Sequence, residues 1–139
     1  MTERKLQRRE FTKLIAIAGA TAFTGAGCGE TPDPVVVIAK SGEIPVGGSK
    51  VFAYPSNDKP CFLLHPEADK YIAFSRLCTH HMCPVFYVTE NNEFDCPCHG
   101  GVFSATDGRV LAGPPSKPLP QIRLELRGTD ILATGINRT

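Results

Sequence analysis

After about residue 35, apolar and polar positions alternate in short runs, and none sustains a helical period. Segments 35–39, 49–54, 61–65 and 71–76 are rich in β-formers and bounded by Gly, Pro, Asn or Asp. Segments 85–88 and 93–95 bracket Glu90-Asn91-Asn92, a hairpin turn. Segments 102–104 and 109–111 bracket Thr106-Asp107-Gly108, a second one. Segments 122–127 and 130–134 close the chain around Gly128. The pattern predicts an all-β fold, a sheet sandwich with a subdomain at about residues 76–118 inserted between base strands. With 139 residues, the chain has room for one such domain.

Two motifs lie inside that insertion, eighteen residues apart. They read Cys78-Thr79-His80-His81-Met82-Cys83-Pro84 and Cys96-Pro97-Cys98-His99-Gly100-Gly101. Each holds a Cys and a His at ligand spacing, plus one further Cys. A Cys-x-His loop facing a Cys-x-x-His loop can offer two thiolates, Cys78 and Cys96, to one iron. It can offer two imidazoles, His80 and His99, to another. A zinc-binding structural module is an alternative, although zinc fingers keep paired Cys and paired His together, and here each loop mixes them. Plain disulfides of a small secreted domain are another.

The motifs resemble those of the Rieske iron–sulfur proteins, and the resemblance covers nearly all of the chain after about residue 35. It implies a Rieske-type antiparallel β-sandwich over 35–139 with an inserted cluster-binding subdomain. It implies one [2Fe–2S] cluster held by Cys78, His80, Cys96 and His99, and one-electron transfer. Two neutral imidazoles in place of two thiolates raise the potential above that of all-Cys clusters. Free imidazole nitrogens at an exposed tip can couple the electron to a proton. By the same resemblance Cys83 and Cys98 pair as the disulfide of bc-type members, across two loops expected to have little core beneath them. Gly113, Pro114 and Pro115 form a cluster-covering loop.

The chain also departs from the family. Bc-type members carry Ser and Tyr where this chain has Gly101 and Phe103, so two hydroxyl donors to sulfur are missing and a lower potential is expected. Ser104 follows, with its direction open. His81 and Met82 stand in the usual Leu-Gly places. His81 is read as a partner contact or a solvated side chain, not a ligand, and Met82 must do without glycine's freedom at positive φ.

Ahead of the domain, Arg8-Arg9-Glu10-Phe11-Thr12-Lys13 and the short apolar run 14–23 resemble a twin-arginine export signal over 1–27. Gly25-Ala26-Gly27-Cys28 resembles a lipoprotein processing site, which makes Cys28 a lipidation candidate. Residues 28–34 read as a short tether. Without residues 1–27 the chain keeps ten Lys+Arg against twelve Asp+Glu, so no nucleic-acid partner is implied. Cys61 lacks an evident partner and reads as a buried hydrophobe.

Together these features describe an electron-transfer subunit rather than a complete enzyme. It is expected on the periplasmic side of the bacterial cytoplasmic membrane, associated through a Cys28 lipid or the N-terminal segment. The expected partner is a redox protein: a cytochrome, a molybdenum enzyme or a quinol-oxidising membrane subunit. A bc-type subunit that oxidises quinol is the alternative.

Overall fold

The computed structural model describes residue 29 and residues 31–138. The expectations for the 1–27 leader and for Cys28 lie outside the described residues. Ten strands run in chain order: β1 (Val36–Lys40), β2 (Ser49–Ala53), β3 (Pro60–Glu67), β4 (Lys70–Ser75) and β5 (Phe86–Val88), then β6 (Glu93–Cys96), β7 (Gly101–Ser104), β8 (Val110–Ala112), β9 (Gln121–Arg127) and β10 (Asp130–Asn137). No helix occurs among the described residues. The strands form a six-stranded sheet, β1-β10-β9-β4-β3-β2, and a four-stranded sheet, β5-β6-β7-β8. Every pairing is antiparallel.

β4 and β9 pair directly, through Ala73 with Ile122 and Phe74 with Gln121. The chain therefore leaves the larger sheet after β4, builds the smaller one, and returns at β9. The smaller sheet and its loops occupy the stretch between those two neighbours.

β3 explains how the two halves are joined. Its run Cys61-Phe62-Leu63-Leu64-His65 is buried on both faces, as a continuous apolar strand should be. Alternation sends Cys61 and Leu63 into a base core with Ile38, Tyr54, Ile122 and Ile131. It sends Phe62 and Leu64 into a second core with Phe74, Val85, Phe94 and Phe103. Phe94 is the hub of that second core. It stacks on Phe62 at 5.4 Å and meets Phe74 edge-on at 5.6 Å. The motif-bearing loops thus stand on a packed aromatic core, not on the thin support the sequence suggests. The contacts join positions from β3, β4 and β6, which no local pattern reveals.

Cys61 is buried as expected, and burial pushes its thiol up to about 12. Its Sγ donates toward the Tyr54 and Lys59 carbonyls, which makes it an inert core residue. The tether region is fastened at its end. The Asp33 carboxylate accepts the Ile136 N–H at 2.9 Å, and the Tyr54 hydroxyl donates to the Pro34 carbonyl at 2.7 Å.

Candidate metal centre

Each motif forms a turn that closes on itself. In the first loop the Cys78 N–H bonds the Cys83 carbonyl at 2.8 Å and the Met82 N–H bonds the Cys78 carbonyl at 2.9 Å. Leu77 and Pro84 bridge its base. The second loop joins β6 to β7, with Cys96 opposite Gly101 in register and the Gly100 N–H bonded to the Cys96 carbonyl at 3.0 Å. Each turn starts with a Cys at the edge of the aromatic core. The His that follows, two or three residues on, emerges at the tip.

The result is two segregated pairs. Cys78 and Cys96 are free thiols, 1% and 3% exposed, and near enough that, after burial, Cys96 helps to raise the Cys78 pKa. His80 and His99 are exposed, with ring centroids 5.0 Å apart. Among the described residues no three His, Cys, Asp or Glu side chains gather around a single ion position. Two soft donors on one side and two imidazoles on the other suit a two-metal cluster better than one tetrahedral ion.

The electrostatics fit as well. Burial raises the Cys78 thiol pKa, while the N–H groups of His80 and His81 hold it down. Those two donors would meet a ligated thiolate. Partial desolvation, then the neighbouring His81 and His99, lowers the His80 pKa, which favours the neutral imidazole that binds metal.

Three restraints tie the loops together. Cys83 and Cys98 form a disulfide that links the first loop to the second. The Thr79 hydroxyl donates to the Lys117 carbonyl at 2.7 Å and links the first loop to the segment after β8. Gly113, at φ +86°, lies directly on the second loop: a Cβ there would stand 2.7 Å from the Gly101 Cα and overlap the Gly100 carbonyl. Only glycine permits both that conformation and that approach. Behind it Pro115 is buried, while Pro114 is exposed. Sequence reasoning missed Thr79–Lys117 and the Gly113 seat. The twin glycines Gly100-Gly101 were the available signal for a close backbone approach.

The departures from the family also take shape. Phe103 is fully buried among its aromatic neighbours. Ser104 is committed to the β7–β8 turn: its hydroxyl accepts the Thr106 N–H at 3.2 Å and, after the Arg109 N–H, helps to hold the Asp107 carboxyl below its usual range. It does not replace the missing donors. His81 is exposed, its ring 4.0 Å from His80 and 5.2 Å from His99, so three imidazoles share the tip.

Met82 keeps the conformation a glycine would favour, at φ +59°, with its side chain 57% exposed. A left-handed non-glycine residue costs roughly 1–2 kcal/mol. The extra unfolded-state entropy of glycine returns roughly 0.5–1 kcal/mol of that. Met82→Gly should therefore stabilise the domain by ~0.5–1 kcal/mol, seen as a higher urea midpoint at unchanged slope. A lower midpoint would mean that the Met82 side chain contributes packing its exposure does not suggest.

The family model for the Rieske [2Fe-2S] domain matches residues 34–123. The chain belongs to the Rieske family. Of the readings left open by ligand spacing, membership selects the iron–sulfur one: the Rieske domain carries one [2Fe–2S] cluster, and its chemistry is one-electron transfer. The chain is 33% identical over 97 residues to the cytochrome b6-f complex iron-sulfur subunit of Chlorobaculum thiosulfatiphilum, covering 70% of this chain and 51% of that one. It is 35% identical over 117 residues to iodate reductase subunit IdrB of Denitromonas iodatirespirans, covering 74% and 63%. The soluble domain of Rieske protein II of Sulfolobus acidocaldarius shares the fold, with a TM-score of 0.62 at 23% identity over 74% of this chain and 78% of that one. The chain spans less than two thirds of the length of these curated relatives.

Proposed function

We propose that this Rieske domain is the one-electron carrier subunit of an exported oxidoreductase. Cys78 and Cys96 hold one iron, and His80 and His99 hold the other. One observation carries the ligand assignment: two buried free thiols and two exposed imidazoles come from two loops locked together by a disulfide. When bound, the cluster supplies a site that takes and returns a single electron. The chain's own residues do the rest. The aromatic core and the Gly113-Pro114-Pro115 loop keep water from the thiolate side. His80 and His99 leave ring nitrogens at the surface, where each can hold or release a proton as the charge changes.

The Cys83–Cys98 disulfide supports an oxidising compartment. That bond and the Arg8-Arg9 motif support placement on the outer side of the cytoplasmic membrane. The relation to a reductase subunit, with the His81-Met82 tip, favours a partner such as a molybdenum enzyme or cytochrome. A second reading, quinol oxidation in a bc-type complex, is favoured by the relation to a cytochrome b6-f subunit.

Iron and sulfide analysis, with electron paramagnetic resonance of the dithionite-reduced protein, tests the centre. Two irons, two sulfides and a Rieske spectrum are expected. Zinc in freshly exported protein would sink the reading. Affinity purification from mildly solubilised membranes then separates the partners: a molybdenum or cytochrome c subunit supports the first reading, a quinol-reducible cytochrome b the second.

The leader is tested separately. Arg8-Arg9→Lys-Lys should trap cluster-loaded protein in the cytoplasm, and Cys28→Ala should release exported protein from the membrane. Export of the Lys-Lys variant at the normal rate would refute the twin-arginine assignment. Membrane retention of Cys28→Ala would refute lipid anchoring.

A further inference from the structure

Gly101 opens β7 on an ordinary strand backbone, and conformation alone does not demand glycine there. Space does. A Cβ at Gly101 would stand 2.8 Å from Pro115 Cγ, 3.1 Å from Pro115 Cδ and 3.5 Å from Cys96 Cβ. One methyl-sized position therefore faces both the covering loop and a proposed iron ligand, and Pro115 has taken it. The seating of Gly113 on Gly100 and Gly101 brings the loop down to this depth. Pro115 is buried although its neighbours Pro114 and Ser116 are exposed, so its ring points inward alone.

We propose that Gly101 is a positioning residue: by presenting no side chain it lets the Pro115 ring close beside Cys96, and this contact sets the reduction potential of the centre. The proposal rests on Cys96 being an iron ligand. The physical route is short. A dry apolar wall beside a thiolate disfavours the added negative charge of the reduced state, whereas water there favours it. Any group that lifts Pro115 should admit water and make the protein easier to reduce. This also changes what Gly101→Ser can do. Its hydroxyl cannot arrive without displacing the ring, so a rise in potential would not by itself reveal a restored hydrogen bond.

Alanine separates the two effects, because it adds bulk without a donor. Gly101→Ala and Pro115→Ala should each raise the reduced-to-oxidised ratio in a fixed redox buffer at least threefold, about 28 mV for one electron. The double variant should return towards the wild-type ratio: Pro115→Ala removes the two atoms, Cγ and Cδ, that the new methyl would strike, and the methyl, 3.5 Å from Cys96 Cβ, takes the place of the ring as the apolar wall beside Cys96. A merely structural role would lower cluster occupancy without this compensation, so the potential is read per loaded cluster by protein-film voltammetry. If Gly101→Ala fails to load, recovery of loading in the double variant supports the proposal, and continued failure overturns it. An unchanged potential in both single variants overturns it, as does a rise confined to Gly101→Ser. A wild-type protein without a Rieske spectrum would defeat the ligand assignment instead, which distinguishes the two failures.

Discussion

Cys78→Ser, Cys96→Ser, His80→Ala and His99→Ala should each yield protein that no longer holds a [2Fe–2S] cluster. The effect should be near complete, because each change removes one of the four proposed donors and, among the described residues, only His81 stands close enough to substitute. Cys61 lies in the base core, buried and held as a thiol. Cys83 and Cys98 are consumed by their disulfide. Among the described residues His81 is the candidate substitute, since its ring lies 4.0 Å from His80 and 5.2 Å from His99. For that reason the His variants should be made alone and with His81→Leu. Iron content, sulfide content and the reduced-state paramagnetic signal read the outcome. A normal signal in any single variant removes that residue from the ligand set. A signal in His80→Ala that vanishes with His81→Leu would show ligand exchange at the tip. Far-ultraviolet circular dichroism should be nearly unchanged, because the six-stranded sheet holds its own core with Ile38, Leu63, Ile122 and Ile131.

The candidate donors could be picked out in the sequence because spacing within a tight turn is a local property. Cys78 and His80, or Cys96 and His99, are presented together whatever the rest of the fold does. The strands were legible for a similar reason. Short β-rich runs ended by Asn92, Gly108 or Gly128 leave few alternatives to antiparallel hairpins. The run at β3 read only as one more short strand; its burial on both faces, and which core each face meets, came from the structure. What the sequence hid was contact between distant segments. Phe62 and Phe94 pack across 32 positions, and Thr79 reaches Lys117 across 38. Nothing local marks either pair. The Gly101 departure was visible, but its reading as a missing hydroxyl was incomplete without the Pro115 ring opposite it. Met82 was read as a residue denied glycine's conformation. The loop adopts that conformation all the same, because the closing Cys78–Cys83 and Cys78–Met82 hydrogen bonds over-determine it.

The disulfide supports the second large prediction. Cys83 and Cys98 lie 15 positions apart and join loops from opposite sides of the candidate centre. Closing a loop of that length removes roughly 3 kcal/mol of chain entropy from the open state in the usual model. The other restraints on these loops are weaker and run through the segment after β8: one Thr79–Lys117 hydrogen bond, worth roughly 0.5–1.5 kcal/mol, and the seating of Gly113 on the second loop. The base sheet owes the bond nothing, since none of its registers passes through either loop. The loss should therefore be local. Cys83→Ala with Cys98→Ala should lower the stability of the cluster region by ~3 kcal/mol, and cluster release on heating should precede unfolding of the β-sheet. Two probes followed on one sample, visible absorbance of the cluster and circular dichroism of the strands, should coincide or nearly so in wild type and separate in the variant. Alanine at both positions avoids leaving a reactive thiol beside Cys96. If cluster release and sheet melting stay superimposed at the wild-type temperature, the aromatic core beneath the loops is holding them unaided. The disulfide would then be a consequence of the oxidising compartment rather than a support for the centre.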